Sequence, residues 1–235
     1  MNREQLRDYL DFYRDLGVKE IYKRGSKGQR AVPTGEIALP SIQPPGDTLL
    51  RIVEDLGDCR RCRLSEARHK IVFGSGNEGA RLVFVGEGPG ADEDAQGLPF
   101  VGRAGQLLTQ MIENTASKEG IPIHRADVYI CNVVKCRPPE NRTPLPDEME
   151  ICGEFLFRQL MTIHPKAICA LGSTAAKALL ATKDGVTRLR GKWHKWRDIP
   201  LLVTYHPSYL LRPYNQDAKR EAWEDLKKVL HYVYD

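Results

Sequence analysis

Four short apolar runs mark the second part of this chain, and between them the spacing of apolar positions changes. RLVFVG (81–86), DVYICNVV (127–134), KAICALG (166–172) and IPLLVTY (199–205) have the length and continuity of buried strands. Residues 103–117, 146–163, 173–181 and 217–233 instead carry apolar side chains at helical spacing. Strand and helix in alternation predict an α/β fold whose sheet is parallel and covered on both faces. In such sheets ligands bind at the carboxyl ends of the strands. Three of the four strands run into unusual segments there: Gly86-Glu87-Gly88-Pro89-Gly90, Asn132 to Arg137, and His206-Pro207-Ser208.

The first part reads differently. Leu6, Leu10, Phe12, Tyr13 and Leu16 predict a short helix over 2–16, and the stretch to Gly46 is basic and rich in Gly and Pro. This divides the chain into an N-terminal helix and linker, 1–46, and a compact domain, 47–235, which opens with a helix to about Leu56 capped by Asp47 or Thr48. The 235 residues carry 35 Lys plus Arg against 31 Asp plus Glu, a net +4 that permits a polyanionic partner without requiring one. No apolar run approaches the roughly 20 residues of a membrane span, and the N-terminus lacks a signal-peptide core, so a cytoplasmic protein is expected. Six cysteines in a reducing compartment point to metal rather than disulfides.

The glycine turn at 86–90 lets the backbone approach a ligand and offer N–H donors, but no Gly-Lys-Ser/Thr follows, so it is not a nucleotide-binding P-loop. Taken singly, Phe100 reads as a core aromatic, Asn132 as a turn cap and His206 as a loop residue. Cys59-x-x-Cys62, with Cys136 and Cys152 16 residues apart, suits either structural zinc or an iron–sulfur cluster on spacing alone. Cys131 and Cys169 fall inside apolar strands and read as core thiols. Arg60, Arg61, Arg63, Arg68, His69 and Lys70 surround the first cysteine pair, and Lys135, Arg137 and Arg142 accompany Cys136; such groups suit phosphate contacts or a solvated basic face. Ser208, Tyr209, Leu210, Leu211 and Arg212 form either a wedge that enters DNA or a capped helical turn with two core leucines.

GEGPGADEDAQGLPFVGRAGQLL, NVVKCRPPENRTPLPDE and HPSYLL together resemble the family 4 uracil-DNA glycosylases, the iron–sulfur branch of their superfamily, over about residues 50–232. The resemblance implies a three-layer α/β/α sandwich with a mostly parallel sheet. It also implies hydrolysis of the N-glycosidic bond of deoxyuridine, which leaves an abasic site. Since a base inside a duplex is out of reach, the enzyme must flip it out. The resemblance casts Phe100 as the stacking ring, Asn132 as the reader of the uracil edge and His206 as the donor to uracil O2. Gly86, Glu87 and Gly88 then belong to the substrate pocket, and Glu87 and Glu93 either orient water or shape the wall that excludes thymine, or are solvated carboxylates, Glu93 lying in the acidic run Asp92-Glu93-Asp94. Other branches of the superfamily carry an Asp where this chain has Gly88. Cys59, Cys62, Cys136 and Cys152 become ligands of a 4Fe-4S cluster. The expected partners are uracil-containing DNA, single- or double-stranded, and free uracil as product, with the protein acting as a monomer and without a membrane. A non-catalytic DNA-binding module of the same fold and an iron–sulfur redox protein are the competing expectations.

Overall fold

A computed structural model describes residues 46–235, so the helix and linker expected before Gly46 lie outside the described residues. The domain opens with α1 (Leu49–Leu56), where Arg51 N–H donates to Thr48 Oγ1 at 3.1 Å; Thr48, not Asp47, is the cap. There follow β1 (Ser75–Gly76), β2 (Leu82–Gly86), α2 (Ala91–Gln96), α3 (Arg103–Lys118), β3 (Tyr129–Asn132), α4 (Pro146–Ile163) and β4 (Ala167–Leu171). The chain then runs through α5 (Gly172–Leu180), α6 (Val186–Leu189), β5 (Trp193–Trp196), β6 (Ile199–Thr204), α7 (Pro207–Leu210) and α8 (Gln216–Tyr234).

The sheet order is β1-β3-β2-β4-β6-β5, with the four inner strands parallel and both edge strands antiparallel to their neighbours. Every residue of β2 and β4 is buried, because the pleat sends alternate side chains into two separate cores. Leu82, Phe84, Ala167 and Cys169 pack under α3 and α8, while Val83, Val85, Ile168 and Ala170 pack under α1, α4 and α5. This is the three-layer sandwich. Among the described residues no helix is long and apolar enough to cross a membrane.

The order also places a crevice. From β2 the chain moves outward to β3, then returns across β2 to β4, so connections leave β2 in opposite directions and the space beyond its carboxyl end stays open. Register aligns the rims of that space: Gly86 pairs with Asn132, Val85 with Ala170, and Leu171 with Thr204, two residues before His206.

Candidate active site

A cavity of about 350 Å³ occupies this crevice, lined among others by Glu87, Glu93, Phe100, Asn132, His206 and Ser208. Gly86 explains why its walls meet. A Cβ there would collide with Asn132 Oδ1 and lie 2.5 Å from Phe100 Cζ, so only glycine lets both side chains close over the strand end. Phe100 and His206 lie with ring centroids 5.6 Å apart at 35°, which completes the convergence of the three strand ends. Asn132 is buried, and its Oδ1 has no hydrogen-bond partner among the described residues. Such an orphan costs about 1–3 kcal/mol, a cost removed when a ligand N–H enters the cavity.

Phe100 holds a left-handed backbone, φ 53°, which costs a bulky residue about 1–2 kcal/mol. The surroundings impose it. Glu93 Oε1 accepts from the N–H groups of Val101 and Gly102, both at 2.9 Å, and its Oε2 accepts from Gly90 N–H at 3.0 Å. The Glu93 carboxylate therefore lines the cavity while bracing two loops. Glu87 also lines the cavity, and its Oε2 accepts the Thr174 hydroxyl from the first turn of α5. A Cβ on Gly88 would lie 2.7 Å from Val134 Cγ2, so a side chain at this position enters only if Val134 gives way.

His206 caps α7: its Nδ1 accepts from Ser208 N–H at 3.2 Å and lies 2.8 Å from Ser208 Oγ. With Nδ1 as acceptor, the neutral ring carries its proton on Nε2. Burial pushes the His206 pKa down from 6.5 to about 4, against the opposing pull of Glu93. At neutral pH the ring is an uncharged donor.

Several basic and wedge residues take other places than the sequence suggests. Lys135 is fully buried, its ammonium donating to Asn132 O at 2.8 Å and Gln159 Oε1 at 2.5 Å, and so makes no surface contact. Arg142 lines the cavity but forks onto the buried Glu148 at 2.7 and 2.8 Å. Arg68 is drawn in toward Cys59 O at 2.6 Å and Cys136 Sγ at 3.5 Å. Arg60, Arg61 and Arg63 stay exposed, paired with Asp58, Asp55 and Asp147, and such surface pairs exchange for phosphate at small cost. Leu210 is buried against Leu107, Met111, Ala218 and Ala222 and cannot enter a duplex. Ser208, which lines the cavity, Tyr209 and Arg212 remain exposed.

The four expected cluster ligands lie at one of the two cores. Cys136 and Cys152 are buried in one core, with Cys59 and Cys62 packed against it. All four are free thiols. Burial raises the pKa of Cys62, Cys136 and Cys152, the last to about 11, while Lys135 N–H at 3.2 Å from Cys152 Sγ and the Arg68 guanidinium supply donors to sulfur. Among the described residues no group of three or more His, Cys, Asp or Glu side chains is placed to hold a metal ion. Sequence reasoning missed β4's contribution: Leu171, Gly172 and Ser173 line the cavity, and Gly172, at φ 89°, turns strand into helix where a Cβ would meet His206 Cβ at 2.9 Å.

The sequence that builds this slot has relatives of known family. The profile of the uracil DNA glycosylase superfamily matches residues 73–227, and the chain belongs to that superfamily. It is 45% identical to a type-4 uracil-DNA glycosylase of Thermotoga maritima over 80% of this chain and 96% of that protein. It is 42% identical to the type-4 uracil-DNA glycosylase of Archaeoglobus fulgidus over 78% of this chain and 92% of that one. A type-5 uracil-DNA glycosylase of Pyrobaculum aerophilum is 31% identical over 66% of this chain and 71% of its own length.

Proposed function

We propose that this chain flips uracil out of DNA into the cavity beyond β2 and hydrolyses its N-glycosidic bond, leaving an abasic site and free uracil. The chain acts as a DNA glycosylase of the type-4 kind. The observation that carries this reading is the orphaned Asn132 Oδ1 beside Phe100 and His206, because uracil N3–H is the donor it lacks and uracil O4 accepts from its NH₂. Cytosine presents the reverse order of donor and acceptor, so an amide held in one orientation rejects it. Phe100 stacks beneath the ring. As the C–N bond breaks, negative charge gathers on the departing base, and Nε2–H of neutral His206 donates to O2, an interaction stronger in the transition state than before it. Glu87, anchored by Thr174, orients the attacking water, a modest demand because the sugar passes through an oxocarbenium-like state. The donor set also fits a 4Fe-4S cluster held by Cys59, Cys62, Cys136 and Cys152. Cys136 and Cys152 are buried with an N–H donor at each sulfur, as cluster thiolates would need, and a cluster held by the four cysteines would staple their segments together.

Incubation with oligonucleotides bearing uracil in single strands, opposite adenine and opposite guanine tests the reading by release of free uracil. Asn132→Ala lowers the rate roughly 10²-fold or more, whereas Arg60→Ala stays within about threefold. DNA binding without release from any substrate would overturn the enzyme in favour of a binding module.

A further inference from the structure

We infer that Arg125 is a positioning residue for this reaction: with Glu93 it clamps the backbone on both sides of Phe100 and fixes the plate on which the base stacks. The inference rests on the reading of Phe100 as the stacking ring. A left-handed phenylalanine can relax by rotating either of its two flexible backbone bonds, and either rotation swings the ring out of the slot. Rotation about φ turns the 99–100 peptide, whose Pro99 carbonyl accepts from Arg125 Nη2 at 2.7 Å. Rotation about ψ turns the 100–101 peptide, whose Val101 N–H donates to Glu93 Oε1 at 2.9 Å. A cation thus holds one peptide by its carbonyl and an anion holds the next by its amide, both through charge-assisted bonds. The second nitrogen of Arg125 donates to Thr109 Oγ1 at 2.9 Å and lies 3.4 Å from Gly105 O, which anchors the guanidinium to α3. Gly105 itself packs on the Phe100 backbone with no space for a Cβ, so helix, arginine and plate form one contact. Arg125 reaches this place from the one-turn helix Arg125–Asp127 that leads into β3, the strand that ends in Asn132. The segment that delivers the edge-reading amide therefore also holds the stacking ring.

The test is a double-mutant cycle of Arg125→Met and Phe100→Ala, read by single-turnover cleavage of uracil DNA, by inhibition with free uracil, and by DNA affinity. Arg125→Met is expected to slow cleavage about 10- to 100-fold and to weaken uracil inhibition in parallel, with DNA affinity within about twofold. On the Phe100→Ala background the same change has no further effect, and Arg125→Lys, which keeps a donor near Pro99, recovers part of the loss. Losses that multiply in the double variant, or unchanged uracil inhibition, overturn the clamp. If Arg125→Met does not fold, Arg125→Lys alone and with Phe100→Ala completes the same cycle. A wild-type protein that releases no uracil sinks the functional reading instead, so the two failures are separate.

Discussion

His206 sets a pH dependence that a free histidine would not have. Its pKa lies near 4 because burial penalises the imidazolium, so the neutral donor form persists far below 6.5. The cleavage rate therefore shows no inflection from this residue near 6.5 and falls only as pH approaches 4. Stability follows with a definite sign. Above 6.5 the ring is neutral folded or unfolded and contributes nothing; as pH falls from 6.5 towards 4 the unfolded chain takes up a proton that the fold refuses, and stability drops. Urea midpoints at about pH 7.5 and about pH 5 should separate more for the wild type than for His206→Gln, and equal separations would contradict the burial of the ring. His206, Asn132 and Phe100 stand out in the sequence only through the resemblance of the motifs around them, since each taken singly reads as an ordinary residue. Arg125 and Thr174 do not stand out at all, since Arg125 lies in the polar segment His124-Arg125-Ala126-Asp127, 25 positions from the residue it braces, and Thr174 looks like any helix-start threonine.

At the scale of elements, a cluster on the four cysteines would tie the segment after α1 to the exit of β3 and to α4, and the chain between Cys136 and Cys152 contributes Pro138, Asn141 and Arg142 to the cavity wall. Asn141 holds a left-handed backbone, φ 55°, so this wall has little tolerance for loosening. Cys136→Ala should lose iron and acid-labile sulfide together, lower the melting temperature and slow uracil release. Cys131→Ala, a change inside β3 at a fully buried thiol, should keep the iron. Zinc without sulfide in the purified wild type would refute the cluster. The inner strands and the long helices were readable because burial on both faces demands unbroken apolar runs and one-sided burial demands helical spacing. The edges were not: β1 has two residues, and β5, Trp-His-Lys-Trp, faces solvent over most of its length and shows no strand period. The turn that joins β5 to β6 hides its own signal, because Arg197 rather than glycine adopts φ 51°.

Across the whole molecule, the position of His206 depends on the far side of the sheet. β6 ends at Thr204, whose hydroxyl donates to Asp225 Oδ2 at 2.8 Å on α8. Asp225 is buried, and Arg190, at the exit of α6, forks onto it at 2.8 and 3.0 Å while also donating to Glu221 O at 2.9 Å. One carboxylate thus joins a strand end, a short helix and the C-terminal helix just before the chain turns into Tyr205 and His206. Removing one partner of a buried pair strands the other charge, which costs about 3–5 kcal/mol. Asp225→Ala leaves Thr204 without its acceptor and Arg190 with Glu221 alone, whose Oε1 lies 3.3 Å from Nη1, and should lower the unfolding free energy in urea by no more than that order. Asp225→Asn keeps acceptors for the two bonds but not the charge, and should lose less. Double substitution of Arg190 and Asp225 by Met and Leu removes both charges together, and should recover stability relative to Asp225→Ala. If Asp225→Ala proves as stable as the wild type, the ion pair is not what holds the end of β6, and the placement of His206 must rest on the α7 cap alone.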